Sequence, residues 1–197
     1  MNRKKDLLIL VECAVMVALA TVLSYIKVYE FPFGGSITLL SMLPILLVSF
    51  RRGVKVGLGT AFVYSVIQLI QGFSYLSYAP TAFGVVGLIF LDYILPFTIL
   101  GLAGIFYKEE YKSKKAMLSI VSGTSLVLLV RYACHVLSGV IIWYAVTKAE
   151  AKEGDWILTV GSWVYSIGYN AAYMGPEIAI TLLASPVIIK LKDFIKE

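Results

Sequence analysis

Long apolar segments constrain what this chain can fold into more than any other feature. Residues 7–26 form an apolar run that a single charged residue, Glu12, interrupts. A helix needs roughly 20 apolar residues to cross the hydrocarbon core of a bilayer. Hydrophobic residues make up 59% of the 197-residue chain and charged residues only 15%. We therefore expect an integral membrane protein in which residues 1–197 form a single transmembrane domain.

Charged, glycine-rich and proline-rich stretches divide the apolar sequence into six predicted helices. They cover about residues 7–26, 37–50, 54–70, 81–107, 116–146 and 156–189. The second is short and contains Pro44, so we expect it to be tilted, kinked or incomplete. The aromatic-rich loops at 27–36 and 72–80 are candidate lids. The predicted fold class is an all-α integral membrane protein with six transmembrane helices.

Lysine and arginine collect in loops on one side of this predicted bundle. The basic residues on that side are Arg3, Lys4, Lys5, Arg51, Arg52, Lys55, Lys108, Lys112, Lys114, Lys115, Lys190, Lys192 and Lys196. The opposite loops hold only Lys27, Lys148 and Lys152, together with several acids. Because short loops rich in basic residues remain in the cytoplasm, we expect both termini to be cytoplasmic.

Polar side chains in the last three predicted helices lie at similar depth. At a rise of 1.5 Å per residue, Asp92 and Arg131 lie roughly 24 Å above the cytoplasmic ends of their helices. His135 and Asn170 lie roughly 30 Å up by the same measure. Polar groups inside a membrane usually face a protein interior and mark a site, because exposing them to lipid is costly. The sequence therefore predicts a site open to the outside.

The chemistry of these residues suits a flat, positively charged heteroaromatic ligand. The candidate members are Asp92, Tyr93, Arg131, His135, Gly139, Trp143, Tyr165 and Asn170. Indole and imidazole rings stack on a ligand ring, aromatic faces attract cations, and a carboxylate or amide gives oriented hydrogen bonds.

Other kinds of chemistry fit the sequence less well. No nucleophile lies beside a base, and one histidine excludes a multi-histidine metal site, so we expect neither an enzyme nor a cofactor. The net charge of +5 comes without a basic tract interleaved with aromatic residues, so we expect no nucleic acid partner.

Purely structural roles are the alternative for the same residues. Trp143 and Tyr165 are typical of an aromatic belt at the membrane interface. Asp92 and Arg131 are placed to form a buried ion pair, so Arg131 either contacts a ligand or pairs with Asp92. His135 alone is compatible with an interhelical hydrogen bond.

Two glutamates and two alanines lie outside this group. Glu12 is near the inner surface, where a long side chain can extend toward the headgroups, and Glu177 has no role that the sequence assigns. Ala14 and Ala18 form a small-xxx-small pair, which permits close approach of another helix.

Five stretches in order along the chain carry a family resemblance. They are AVMVA (14–18), PILLVSFRRGVKVGL (44–58), FLDYILPFTILGLAGIF (90–106), RYACHVLSGVIIW (131–143) and VYSIGYN (164–170). In these stretches the chain resembles the thiamine-specific substrate-binding subunit, or S-component, of energy-coupling factor (ECF) vitamin transporters. The combination of His-x7-Trp followed by Tyr-x4-Asn is fairly specific.

The resemblance implies a six-helix S-component bundle in the bacterial cell membrane that binds thiamine tightly from outside and transports nothing alone. The residues it implies as vitamin contacts are Asp92, Tyr93, His135, Trp143, Tyr165 and Asn170, with Arg131 where a lysine can occur. Ala14 and Ala18 match the surface that docks on the membrane coupling subunit, which two ATPases drive. A tryptophan expected in the first loop is absent, and Phe31 or Phe33 is its replacement here.

Two other functions stay open at this level. One is an S-component for another vitamin or a precursor, such as riboflavin or hydroxymethylpyrimidine. The other is a stand-alone proton-coupled carrier in the lipid bilayer, with Asp92, Arg131 and Glu177 as relay groups.

Overall fold

The computed structural model describes residues 3–108, 110 and 113–191. In this part of the chain, nine α-helices alternate with short 3₁₀ and π segments and one two-stranded hairpin. The helices are α1 (Arg3–Tyr25), α2 (Leu43–Arg52), α3 (Val54–Gln71), α4 (Ala82–Leu88), α5 (Leu95–Thr98), α6 (Ser113–Ser138), α7 (Tyr144–Ala149), α8 (Ser162–Leu183) and α9 (Ser185–Leu191). Lys112, Lys192 and Lys196, which belong to the charge pattern above, lie outside the described residues.

Four helical stretches in the described ranges are long and apolar enough to cross a membrane. They are Arg3–Tyr25, Val54–Gln71, Ala82–Phe106 and Lys114–Ala149. The helices α8 and α9, bent by 40° at their junction, make a fifth crossing if they are counted as one span. The ten residues of α2 are too few to cross a bilayer, so helix length supports four or five spans. A sixth crossing, as predicted, would require α2 to span the membrane together with neighbouring residues.

The predicted helices 54–70 and 81–107 agree with the structure within one or two residues. The last predicted helix was wrong at its start, because Trp156–Leu158 is a separate 3₁₀ turn and α8 begins only at Ser162. Pro186 lies in the first turn of α9, where its fixed φ angle suits the start of a helix.

The predicted loop at 27–36 contains a β-hairpin, so the all-α prediction was wrong here. Strand β1 (Lys27–Glu30) pairs antiparallel with β2 (Ser36–Thr38), and a 3₁₀ turn at Pro32–Gly34 joins them. Phe33 and Gly34 both have positive φ angles in this turn. Because each strand has only three or four residues, period-two alternation gives little signal in the sequence.

Helix α2 lies at the centre of the bundle and explains the short second apolar segment. Each residue from 44 to 50 is buried, so the helix needs no polar face. Pro44 lies in its first turn, where the missing N–H breaks no helical hydrogen bond. Gly53, with a φ angle of 82°, ends α2 and starts α3 in a new direction. The expectation of an incomplete second helix is confirmed, but its predicted start at Ile37 was wrong, because Ile37 and Thr38 belong to β2 and α2 begins only at Leu43.

A buried ion-pair cluster joins α1 to the end of α2. Glu12 accepts from Arg52 at 2.8 Å from Nε and 2.5 Å from Nη2, and its other oxygen lies 2.8 Å from Nη1 of Arg51. The Glu12 side chain is only 9% exposed, so it pairs inside the bundle instead of extending alone toward the headgroups. Ala14 and Ala18 lie on the exposed face of the same helix.

Close helix contact depends on Gly101, in the 3₁₀ segment Ile99–Phe106. A Cβ atom at this position would lie 2.5 Å from the backbone of Gly57 and Leu58 in α3. No real Cβ atom makes such a contact, so a larger residue must push α3 away.

We expect Gly101→Ala to destabilise the protein by about 1–3 kcal/mol, the usual cost of overpacking a close-packed interior. The measurement is denaturant or thermal unfolding in detergent micelles. Gly59→Ala is the matched control, because a Cβ atom on Gly59 has nothing within 4 Å. Equal stability of the two variants would contradict the helix contact.

Candidate binding cavity

A cavity of about 180 Å³ lies at the end of the bundle where α1 ends. All eight binding residues predicted from the sequence line it: Asp92, Tyr93, Arg131, His135, Gly139, Trp143, Tyr165 and Asn170. The hairpin and the carboxyl ends of α1 and α3 complete its wall. Residues for which the sequence predicted similar depths in the membrane therefore lie around one cavity.

The Asp92 carboxylate accepts hydrogen bonds from three side chains of the following long helix. Its Oδ1 lies 3.1 Å from Nδ1 of His135, and its Oδ2 accepts from Ser138 Oγ at 2.8 Å and from Trp143 Nε1 at 2.7 Å. An ionised carboxylate can only accept, so the Nδ1 atom of His135 carries a proton. Nε2 of His135 is buried, and no residue in the described part of the chain hydrogen-bonds to it. Asp92 thus fixes the imidazole and the indole in the wall of the cavity.

Two π-helical turns bring these side chains together. Asp92 and Tyr93 lie in the π segment Ile89–Ile94, and Gly139 and Trp143 lie at the ends of the π segment Gly139–Trp143. Pro96 has no N–H for the carbonyl of Asp92, four residues earlier, which favours a wider turn. Such segments change the direction of side chains and are frequent at functional sites.

Arg131 pairs with Glu177, and the structure does not show the alternative pairing with Asp92 that the sequence left open. Nη1 of Arg131 lies 3.0 Å from Oε2 of Glu177, and both residues are buried. The guanidinium also stacks over Phe97, with its carbon 4.7 Å from the ring centre. Nε of Arg131 is buried and has no hydrogen-bond partner among the residues that the structure describes. Arg131 therefore lines the cavity while its charge is balanced by Glu177.

The remaining predicted residues make several contacts within the protein. The Asn170 amide donates to Ser166 O at 2.8 Å and accepts from Tyr173 Oη at 2.7 Å. Tyr165 packs against the Trp156 ring, with centres 5.3 Å apart. A Cβ atom on Gly139 would lie 2.8 Å from Ser166, so the glycine permits close packing of two helices.

Three rings line one side of the cavity, those of Phe33, Tyr75 and Trp143, and the Tyr78 ring packs against all three. We call these four residues the aromatic cover. The Phe33 ring lies 6.0 Å from Trp143 and 5.8 Å from Tyr78, between ring centres. Tyr75 stacks on Tyr78 at 6.4 Å and is equally far from Trp143. Both candidate lid loops therefore contribute to the cover. Phe33 lies over the cavity, whereas Phe31 packs on Tyr29.

Sequence reasoning missed a polar wall between α1 and α3. Nε2 of Gln68 donates to Oε1 of Gln71 at 3.0 Å and to Ser24 Oγ at 3.2 Å. All three residues line the cavity. The signal was two glutamines three apart at the end of an apolar helix, where both face the same side.

The fold and this cavity define a multi-pass membrane protein with a covered small-molecule site. The cavity offers aromatic faces, one carboxylate held by three donors, and a guanidinium beside a second carboxylate. This combination matches the predicted preference for a flat cation.

Comparisons with known proteins agree with this class. The family model for thiamine transporter protein (Thia_YuaJ) matches residues 10–196. Thiamine transporter ThiT of Bacillus subtilis (strain 168) is 34% identical over 188 residues, which cover 91% of this chain and 89% of the relative. Thiamine transporter ThiT of Lacticaseibacillus paracasei is 27% identical, over 95% of this chain and 88% of that protein.

A solved structure of ThiT from Listeria monocytogenes superimposes with a TM-score of 0.69 at 26% identity, covering 97% of this chain and 96% of that one. The chain belongs to the thiamine transporter protein family. The resemblance drawn from the sequence is confirmed at this level. The protein is a multi-pass protein of the bacterial cell membrane, and its family consists of transporters, not enzymes.

We expect Phe33→Ala to open the aromatic cover and expose the indole of Trp143 to solvent. The measurement is acrylamide quenching of fluorescence in a protein whose other tryptophans, Trp156 and Trp163, are replaced by phenylalanine. Quenching should increase for Phe33→Ala and stay unchanged for Phe83→Ala, because Phe83 is 79% exposed and outside the cover. Equal quenching in both variants would show that Phe33 does not shield Trp143.

Proposed function

We propose that this chain is the thiamine-binding S-component of an ATP-driven ECF uptake transporter. It captures thiamine with high affinity at the outer face and delivers it through a shared energising module. Membership of a thiamine transporter family supports the substrate, and the arrangement of the cavity supports binding as the chemistry of this subunit.

The charge balance of the cavity is the observation that carries this proposal. Asp92 and Glu177 supply two formal negative charges and Arg131 one positive charge, with His135 counted as neutral. Lys27 at the wall is balanced by Glu30, 2.6 Å away. One negative charge is therefore left in a cavity of low polarity, where a monocation would neutralise it. Thiamine carries such a charge on its thiazolium ring.

The rings of the vitamin find complementary surfaces in the same cavity. A pyrimidine ring fits against the faces of His135 and Trp143, since flat rings stack favourably at offsets. The thiazolium cation is attracted to the Asp92 carboxylate and to aromatic faces. Riboflavin and hydroxymethylpyrimidine lack a fixed positive charge, so they would leave the extra negative charge unpaired. Thiamine is therefore favoured over these alternatives.

The orientation proposed here has six crossings and both termini in the cytoplasm, within one domain of residues 1–197. Residues 37–42 and α2 together form the second crossing. Arg51 and Arg52 then lie at the cytoplasmic end with Glu12, while the cavity opens to the outside. The excess of lysine and arginine in the cytoplasmic loops supports this orientation.

The proposed partners are the ECF transmembrane coupling subunit and two ATPase subunits. Ala14 and Ala18 on the exposed face of α1 are the proposed contact surface, because small residues allow two membrane helices to approach closely. A proton-coupled carrier that uses Asp92, Arg131 and Glu177 is the competing hypothesis. The buried Arg131–Glu177 pair is the observation in its favour, since ion pairs of this kind occur in proton relays.

Thiamine is expected to quench the tryptophan fluorescence of the purified protein, because Trp143 lines the cavity. Removing the neutralising charge with Asp92→Asn should weaken binding by about 30-fold or more, since breaking a desolvated charge pair costs at least about 2 kcal/mol. His135→Ala and Asn170→Ala should also weaken binding. Glu12→Ala, remote from the cavity, is the control and should bind normally. Absence of quenching at micromolar thiamine would contradict the proposed substrate.

Large side chains at the α1 surface should separate binding from transport. Ala14→Trp with Ala18→Trp is expected to retain thiamine binding but lose uptake in cells, because the coupling subunit can no longer approach. Val63→Trp is the matched control, since Val63 is exposed on α3 and lies outside that surface. Uptake that continues after deletion of the ATPases would instead favour the proton-coupled carrier.

A further inference from the structure

Glu177 is a buried acid to which the sequence assigned no function. It lies in α8 directly after Pro176, with only 3% of its surface exposed. Its two oxygens serve different parts of the fold. Oε1 accepts from the backbone N–H of Thr38 at 3.1 Å and from its hydroxyl at 2.5 Å, while Oε2 pairs with Arg131 at 3.0 Å. One carboxylate thus connects the hairpin, α6 and α8.

Thr38 is the base of the hairpin that covers the cavity. It is the last residue of β2 and lies opposite Lys27, the first residue of β1. Its hydroxyl also lies 2.7 Å from Ser41 Oγ, at the turn that leads into α2. Hydrogen bonds from a charged acceptor are stronger than neutral ones. The base of the hairpin is therefore held at a fixed point on α8.

The tip of the hairpin is held differently. Phe33 contacts the aromatic cover through ring packing, and the carbonyl of Pro32 accepts from Tyr169 Oη. These contacts lie over the cavity itself, so passage of a ligand on this side must disturb them. The contacts of Thr38 with Glu177 lie at the far end and need not break. This contrast gives the base the role of a pivot.

We propose that Glu177 is a positioning residue that anchors the pivot of the hairpin and orients Arg131 in the wall of the cavity. The anchor keeps Phe33 over the ligand and thereby slows release of the ligand. Because release presupposes the thiamine site proposed above, this part rests on that function. The anchoring of the hairpin does not rest on that function, because it concerns only contacts within the protein.

Two substitutions test the two sets of contacts that Glu177 makes, those of Oε1 with Thr38 and that of Oε2 with Arg131. Thr38→Val removes the hydroxyl that donates to Oε1 but keeps the backbone N–H and the Arg131 pair. Glu177→Gln keeps an oxygen for Thr38 but removes the charge opposite Arg131. Thr60→Val is the matched control, because that hydroxyl bonds only to a carbonyl in its own helix, Val56 O at 2.9 Å.

The first experiment is hydrogen exchange of the purified protein without ligand. Thr38→Val is expected to raise exchange of the hairpin amides, residues 27–38, by roughly 10-fold, the effect of losing one hydrogen bond to a charged group. Amides of α6 should be unchanged in Thr38→Val, and the hairpin should be unchanged in Thr60→Val. Glu177→Gln should also raise exchange of the hairpin amides, because a neutral amide oxygen accepts from Thr38 more weakly than a carboxylate does. Unchanged hairpin exchange in Thr38→Val, or an equal rise throughout α6, would overturn the anchor.

The second experiment is stopped-flow fluorescence with thiamine as the probe. Thr38→Val should raise the dissociation rate roughly 10-fold, because a hairpin with a loosened base holds Phe33 over the ligand less firmly. Glu177→Gln should also raise the dissociation rate, through Arg131. An unchanged dissociation rate in both variants would overturn the role in retention. If the wild-type protein binds no thiamine, the proposed function fails, while hydrogen exchange still decides whether Glu177 anchors the hairpin.

Discussion

A carboxylate inside a membrane domain persists only if other groups replace its water, and Asp92 receives three such groups from one neighbouring helix. His135, Ser138 and Trp143 all donate to it or lie within hydrogen-bonding distance. This interaction joins the helical stretches Ala82–Phe106 and Lys114–Ala149 and fixes an imidazole and an indole on the wall of the cavity. The rest of the site is built around that wall. Without these donors, burial would cost the acid several kcal/mol.

Glu12 and Glu177 are also buried, and in both cases arginine side chains take the place of water around the carboxylate. Glu12 binds Arg51 and Arg52 at the end opposite the cavity, and Glu177 binds Arg131 at the cavity. Each acid thereby joins elements that are distant in sequence. The cavity holds two acids, Asp92 and Glu177, against one base, Arg131, and this excess of one negative charge is the basis for proposing a cationic ligand.

The sequence predicted most of the membrane segments and eight of the residues that line the cavity. Depth along a helix follows from counting residues, so His135 and Asn170 could be placed at one level from the sequence. Counting residues does not show in which direction around the helix axis each side chain points. The π turns around Asp92 and Trp143 change the direction of the side chains, and a period of 3.6 residues does not describe them. For this reason the sequence left the partner of Arg131 open and did not indicate Glu177.

Other features depend on long-range contacts that no local pattern reports. The hairpin at 27–38 has strands too short for a clear period, and Glu177 finds its partner Thr38 on a segment 139 residues away. The burial of α2 also depends on the helices that surround it. Apolar composition marked this segment as buried in lipid or protein but could not distinguish between the two.

Native mass spectrometry of the gently purified protein tests the central claim most directly, because a high-affinity subunit retains its vitamin. The account predicts a bound species with the mass of thiamine on the wild-type protein and none on Asp92→Asn. A retained riboflavin or hydroxymethylpyrimidine, or wild-type protein that acquires no ligand after incubation with thiamine, would contradict it.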